Sequence, residues 1–221
     1  MNYYLTEKEQ VAQIKQWWND YGKAIAIGVV LGVAMMFGWG YWHDYRESQQ
    51  EKASLVYEQL LHSIDIHADQ LVAAEATRLV NEFSSTIYSD FGRLMLAKLA
   101  IDKKDYDAAK KWYGDVTANS KMIALRQVAR IRHGRLLIAQ GDNEKALSML
   151  SDVDDDAFLP LVNATRGDAY WALNKKKEAQ LAYKKALENA SDGLVELHPR
   201  VQMKLDNITG VSKDLKKGDL V

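Results

Sequence analysis

Residues 161–190 read LVNATRGDAYWALNKKKEAQLAYKKALENA. Gly167 is followed by Ala179 twelve positions on, then by Tyr183 after four more and Ala186 after another three, with the polar turn LNKKKE in between. The same order occurs twice upstream. Ala97, Ala109, Tyr113 and Val116 flank IDKKDYD, and Gly134, Ala146, Leu150 and Val153 flank AQGDNEK, with the three units offset by 37 and then 33 residues. A small residue on one helix facing an alanine on the next lets two antiparallel axes approach. A large residue one turn away then fills the gap to the neighbouring pair.

This arrangement resembles the tetratricopeptide repeat, a helix-turn-helix unit of about 34 residues. Asn163 and Arg166 depart from it, since they stand where that repeat prefers Trp and Leu, and its closing proline is missing. Residues 44–83 read as another helical pair without the small-residue signature, which leaves the repeat number open by one. Apolar spacing of three and four runs through Leu55, Leu60, Leu61 and Ile64, and through Leu71, Ala74, Leu79 and Phe83. Polar clusters at 84–90, 102–105, 117–120, 141–143, 174–177 and 191–193 divide the chain into short helices. Alternating strand patterns do not appear, nor do Asn-Gly or Asp-Gly hairpin turns joining two of them. The expected fold class is all-α: a single N-terminal transmembrane helix followed by a tetratricopeptide repeat-like α-solenoid.

Composition excludes several alternatives. Hydrophobic residues are 48% and charged residues 27% of the 221, which argues against disorder. With 29 Lys plus Arg against 30 Asp plus Glu, no global basic field exists to hold a phosphate backbone, so no nucleic-acid partner is expected. The chain has no cysteine, which removes disulfides, thiolate metal sites and a cysteine nucleophile.

The mean hydropathy of -0.32 averages over one very apolar segment. Residues 24–42, AIAIGVVLGVAMMFGWGYW, contain no charge. As a helix these nineteen residues span about 28 Å, close to the hydrocarbon thickness of a bilayer. Trp39, Tyr41 and Trp42 close one end and Tyr21 with Lys23 marks the other, as interfacial anchors do. A cleaved signal peptide competes, because Gly38-Trp39-Gly40 offers small residues; a buried soluble helix is the third reading. The long leader carrying Glu7, Glu9 and Asp20 favours an uncleaved anchor in membrane lipid. Lys8, Lys15 and Lys23 before the span, against Arg46 and Lys52 after it, lean towards a cytoplasmic N-terminus. The expected organisation is a cytoplasmic amphipathic tail at 1–23, the membrane helix at 24–42 and the repeat domain at 43–221.

Within the span Ala24, Gly28 and Gly32 recur on one face, as a candidate contact for another membrane helix; glycine is also simply common in such helices. Val11, Ile14, Trp17, Trp18 and Tyr21 before it suit either an interfacial helix or a docking element. Carrying the repeat's helical phase along the chain puts Phe91, Leu94, Lys98 and Ile101 on a concave face. Val128, Ile131, Arg135 and Ile138 follow, then Leu161, Ala164, Asp168 and Trp171. The face either receives a polypeptide partner or is filled by the chain itself, for instance by a terminal helix from Pro199 to Ile208.

No catalytic constellation emerges, and no enzyme, cofactor or metal is expected. His43, His62, His67, His133 and His198 are scattered without zinc-helix spacing. Asp152, Asp154 and Asp156 imitate the start of a calcium loop, but Ala157 and Asn163 stand where Gly and Glu are required, which leaves a solvated acidic turn. The terminal GVSKDLKKGDLV is polar and expected to fray.

Three stretches narrow the reading: EQVAQIKQWWNDYGKAIAIGVVLGVAMMFGWGYW at 9–42, SLVYEQLL at 54–61 and QMKLDNI at 202–208. Together they resemble the bacterial YfgM family, ancillary subunits of the SecYEG translocon. The resemblance implies an inner-membrane protein with a periplasmic repeat domain. It implies the SecYEG translocon and a PpiD-like periplasmic chaperone as partners, with newly exported proteins as clients. A restraining role on a cytoplasmic stress regulator has also been attached to the family. An assembly factor for another cell-envelope complex would use the same architecture.

Overall fold

Four turns of one kind punctuate the chain, at His67, Lys104, Gly141 and Asn174, each with a left-handed backbone at φ of 56°, 60°, 87° and 60°. In each, the next amide reaches back to close the preceding helix: Ala68 N–H to Ser63 O (2.9 Å), Asp105 to Ala100 (2.8 Å), Asp142 to Leu137 (2.9 Å) and Lys175 to Tyr170 (2.9 Å). This double closure satisfies carbonyls that a helix end leaves unpaired. Among the described residues these four equivalent turns join four helical pairs.

The computed structural model describes residues 7–188 and 197–210, and every regular element among them is helical. In chain order these are α1 (Glu7–Asp65), α2 (Asp69–Glu82), α3 (Ile87–Asp102), α4 (Tyr106–Asn119) and α5 (Ile123–Ala139). There follow α6 (Asn143–Met149), a 3-10 turn at Asp156–Phe158, α7 (Leu159–Ala172), α8 (Lys176–Glu188) and α9 (Leu197–Thr209). The polar cluster at 191–193 and the terminal residues 211–221 lie outside the described residues.

The chain divides into two compact units, Met1–Lys52 and Ala53–Val221. The first unit is helical from Glu7 with no break before the apolar span. Nothing in the sequence interrupts it: Pro is absent there, and Gly22 is covered by the Trp18 ring one turn back, 3.1 Å from where a Cβ would stand. Its apolar window has a mean hydropathy of 1.7 and none of it is buried, so this is the described helix long and apolar enough to cross a membrane. The compact second unit starts at Ala53, which is 0% exposed and is the first residue of its core.

Within the second unit the repeat signature is its packing. Ala97, Ala109, Tyr113 and Val116 form one buried cluster across α3 and α4; Gly134, Ala146 and Leu150 are buried in the next pair; Gly167, Ala179, Tyr183 and Ala186 in the last. A Cβ on Gly134 would stand 3.2 Å from Leu150. The first pair obeys the same rule with sizes exchanged. Thirty-seven residues before Ala97 stands Leu60, and thirty-seven before Tyr113 stands Ala76; both are buried in the cluster that joins α1 to α2. A large residue on the first helix and a small one on the second fill the same volume, which is why the small-residue pattern failed to mark this unit.

The departures at Asn163 and Arg166 are accounted for locally. Arg166 Nη2 donates to Leu150 O at 2.5 Å and Nη1 to Asn163 Oδ1 at 3.5 Å, tying α7 to the end of α6. The acidic turn after α6 is bound, not freely solvated. Arg130, buried on α5, donates to Asp152 O (2.6 Å) and pairs with Asp152 (3.1 Å) and Asp154 (3.4 Å), while Arg126 pairs with Asp154 at 3.1 Å. Arg126 and then Arg130 hold the Asp154 carboxyl below the usual carboxylate range.

Candidate partner-binding cleft

The first helices of the first three pairs enclose a cleft of about 400 Å³. The part of α1 within the second unit contributes Tyr57, Leu60, Leu61 and Ile64; α3 contributes Phe91, Leu94, Met95 and Lys98; α5 contributes Leu125, Val128 and Arg132. The Tyr57 ring anchors the wall between α1 and α3, with centroids 5.5 Å from Tyr88 and 5.2 Å from Phe91. Such ring contacts add about 0.5–1.5 kcal/mol beyond area burial and hold the cleft's end in shape.

Of the residues carried onto the concave face by helical phase, Phe91, Leu94, Lys98 and Val128 meet in this cleft. Ile101 packs partly buried against the α3–α4 core. Ile131 is 4% exposed and belongs with Leu150 and Val162 to a core cluster between pairs, against which Leu161 also packs. Ile138 is half-buried near the end of α5. From α1 to α3 to α5 the lining residues fall progressively nearer the start of each helix, so a constant phase drifts off the cleft and into the core. Leu125 and Arg132 replace Ile131 and Arg135, and α1 supplies a wall that phase reasoning from the last three units omitted. The run Leu60, Leu61, Ile64 was the available signal.

The last unit is closed differently. Here α9 packs on α7 and α8 through Val201, Leu205 and Ile208 with Ala164, Tyr170 and Tyr183. Lys204 Nζ sits 2.5 Å from Asp168 Oδ1, and the Tyr183 hydroxyl donates to the same oxygen at 2.7 Å. Burial first, then the Asp168 carboxylate, pushes the Tyr183 phenol far above its usual range, so it remains a donor at any physiological pH. Asp168 and Trp171 are left lining a cleft of about 180 Å³ with Tyr183, Lys204, Asn207 and Ile208. Trp171 is 46% exposed, and together with Asp168 it sits apart from the larger cleft. The chain therefore fills its concave face at the last pair and leaves it uncovered, among the described residues, at the first three.

On the apolar span, Gly28 and Gly32 have open space where a Cβ would stand, and the residues around them are exposed. The side chain of Ala24 lies outside the described residues.

A family model described as a tetratricopeptide repeat-like domain matches residues 15–210. Relatives named "Ancillary SecYEG translocon subunit" align over nearly the whole chain. The protein of Haemophilus influenzae is 29% identical over 208 residues, covering 94% of this chain and 100% of that one. The protein of Aggregatibacter actinomycetemcomitans is 30% identical over 209 residues, again 94% and 100%. That of Escherichia coli K12 is 27% identical over 210 residues, 95% and 100%. No solved structure matches the chain.

Proposed function

This chain belongs to the YfgM family of tetratricopeptide repeat-like proteins, and from that premise we propose that it is an accessory subunit of the SecYEG translocon in the bacterial inner membrane. The observation that carries the proposal is the full-length alignment with relatives of that name, which takes in the span as well as the repeats. A second feature supports it. A helix as apolar as residues 25–42 with no buried face is unstable in water and needs lipid or another membrane helix.

In this reading the tail at 1–23 is cytoplasmic, the helix at 24–42 spans the membrane, and the repeat domain lies in the periplasm. Ala24, Gly28 and Gly32 form the face that meets a translocon helix, since glycines let backbones approach within van der Waals contact. The cleft over α1, α3 and α5 receives a periplasmic chaperone of the PpiD type or a segment of a newly exported client. The protein acts by holding these components together and performs no catalysis.

Photo-crosslinking decides between this and service to another envelope complex. A crosslinker at Gly28 or Gly32 is expected to capture a SecYEG membrane subunit, and one at Val128 a periplasmic chaperone. Reproducible capture of a different envelope complex at Gly28 and Gly32, with no SecYEG product, would overturn the proposal.

A further inference from the structure

The charge of the large cleft limits what can occupy it. Among the described residues its charged lining is Lys98 and Arg132, both cations, set among Tyr57, Leu61, Phe91 and Val128. Lys98 already faces Asp102 on its own helix at 3.5 Å. Arg132 makes no ion pair among the described residues and is exposed. An unpaired guanidinium against an apolar wall favours a carboxylate that arrives with apolar groups around it, because the planar fork accepts a carboxylate in two parallel hydrogen bonds.

The chain's own segments fit poorly. The helix α9 is committed to the last pair through Lys204 and Asp168. Residues 211–221 carry Lys213, Lys216 and Lys217 against Asp214 and Asp219, the wrong sign for two cations. A captured chain terminus also fits less well, since terminal carboxylates are held by clustered donors, and here one of the two cations already has an acidic neighbour.

We propose that this cleft binds an internal apolar segment of a partner polypeptide, with one Asp or Glu side chain seated on Arg132. This deepens the accessory-subunit reading by giving the recognised chemistry, and it rests on that reading only for the partner's identity. Large apolar side chains of the segment enter between Tyr57, Leu61, Phe91 and Val128, and the carboxylate sets register and direction.

The test uses the full-length protein in lipid nanodiscs and three fluorescein-labelled synthetic helical peptides. Each has Leu or Phe at i, i+3, i+4 and i+7, and they differ only in a central Glu, Gln or Lys. Fluorescence anisotropy is expected to rank them Glu over Gln over Lys, with about a tenfold gap between the extremes. Arg132→Glu should reverse the order, and Arg132→Gln should remove it. Both substitutions are at an exposed position, and unchanged far-UV circular dichroism checks the fold. Val128→Asp should weaken all three peptides. The proposal is overturned if no peptide binds, if the ranking ignores charge, if Arg132→Glu leaves the ranking intact, or if a crosslinker at Leu61 captures residues 211–221 or a second copy of the chain instead. Co-purification of SecYEG with the unaltered protein separates the two readings. Translocon retained while the peptides show no charge ranking sinks the cleft alone; a charge ranking with no translocon retained sinks the accessory role alone.

Discussion

The ring of Tyr183 occupies the space that a Cβ on Gly167 would need, with Cδ1 only 2.5 Å from that position. The two residues lie on the antiparallel helices α7 and α8, and their contact sets how closely those axes approach. A methyl group there must displace a buried aromatic whose hydroxyl is also held by Asp168.

Gly167→Ala is accordingly expected to destabilise the last repeat by about 1–3 kcal/mol, the usual cost of overpacking. Gly134→Ala should cost less, because Leu150 stands 3.2 Å away and its side chain can give. Hydrogen exchange on the full-length protein would show faster opening of α7 and α8 in the first variant. Equal effects of the two substitutions would contradict the packing described.

The left-handed turns make an opposite prediction. Lys104 holds φ at 60°, where a side chain costs about 1–2 kcal/mol. Glycine carries no such penalty but loses more entropy on folding, so Lys104→Gly should stabilise by a net of about 0.5–1 kcal/mol. The reciprocal change Gly141→Ala, at φ of 87°, should destabilise by a similar amount. Urea midpoints at unchanged slope are the measurement.

Asp168→Asn tests the closure by α9. The amide keeps a weaker acceptor for Tyr183 but leaves Lys204 without its counter-charge. With the two charged side chains 39% and 29% exposed, the loss should be modest, about 1 kcal/mol after solvent screening. It should appear as faster amide exchange confined to α9 and the end of α7. Uniform change across the domain would mean that α9 is not a separately closing element.

His133 gives the domain a pH dependence. Burial first, and then Lys110, holds its imidazole below the ordinary value of 6.5, so the folded state binds a proton less readily than the unfolded chain. Its contribution is therefore fully present above pH 6.5 and declines as pH falls through that value towards the lower folded one. His133→Gln, which keeps a polar neighbour for Tyr113, should flatten the fall in thermal midpoint between pH 7 and 5. An undiminished fall in the variant would assign the effect to other groups.

Because the chain has no cysteine, single thiols report topology directly. In intact cells with a permeabilised outer membrane, Asp65→Cys should react with an impermeant maleimide and Lys15→Cys should not. Disrupting the inner membrane should expose both. The reverse pattern would place the repeat domain in the cytoplasm.

Much of the architecture was legible from local pattern. The three small–Ala–large units, the polar turns between them and the uncharged span each depend on residues a few positions apart, and helical periodicity is itself a local property. The first repeat was only half legible, because Leu60 and Ala76 exchange sizes and only their packing together shows the compensation. The cleft was partly legible. Phe91, Leu94 and Val128 were placed on it by phase, whereas Ile131 followed the same phase into the core and Arg132 was passed over.

The sequence by itself determined that the chain is a row of helix pairs behind one apolar helix, since each helix is specified by its own residues and each pair by two facing positions. Only the tertiary structure decided where the concave face is open and where α9 closes it. Those outcomes depend on the small rotation between successive pairs, which accumulates along the array, and on contacts such as Asp168 with Lys204 that join residues far apart in the chain.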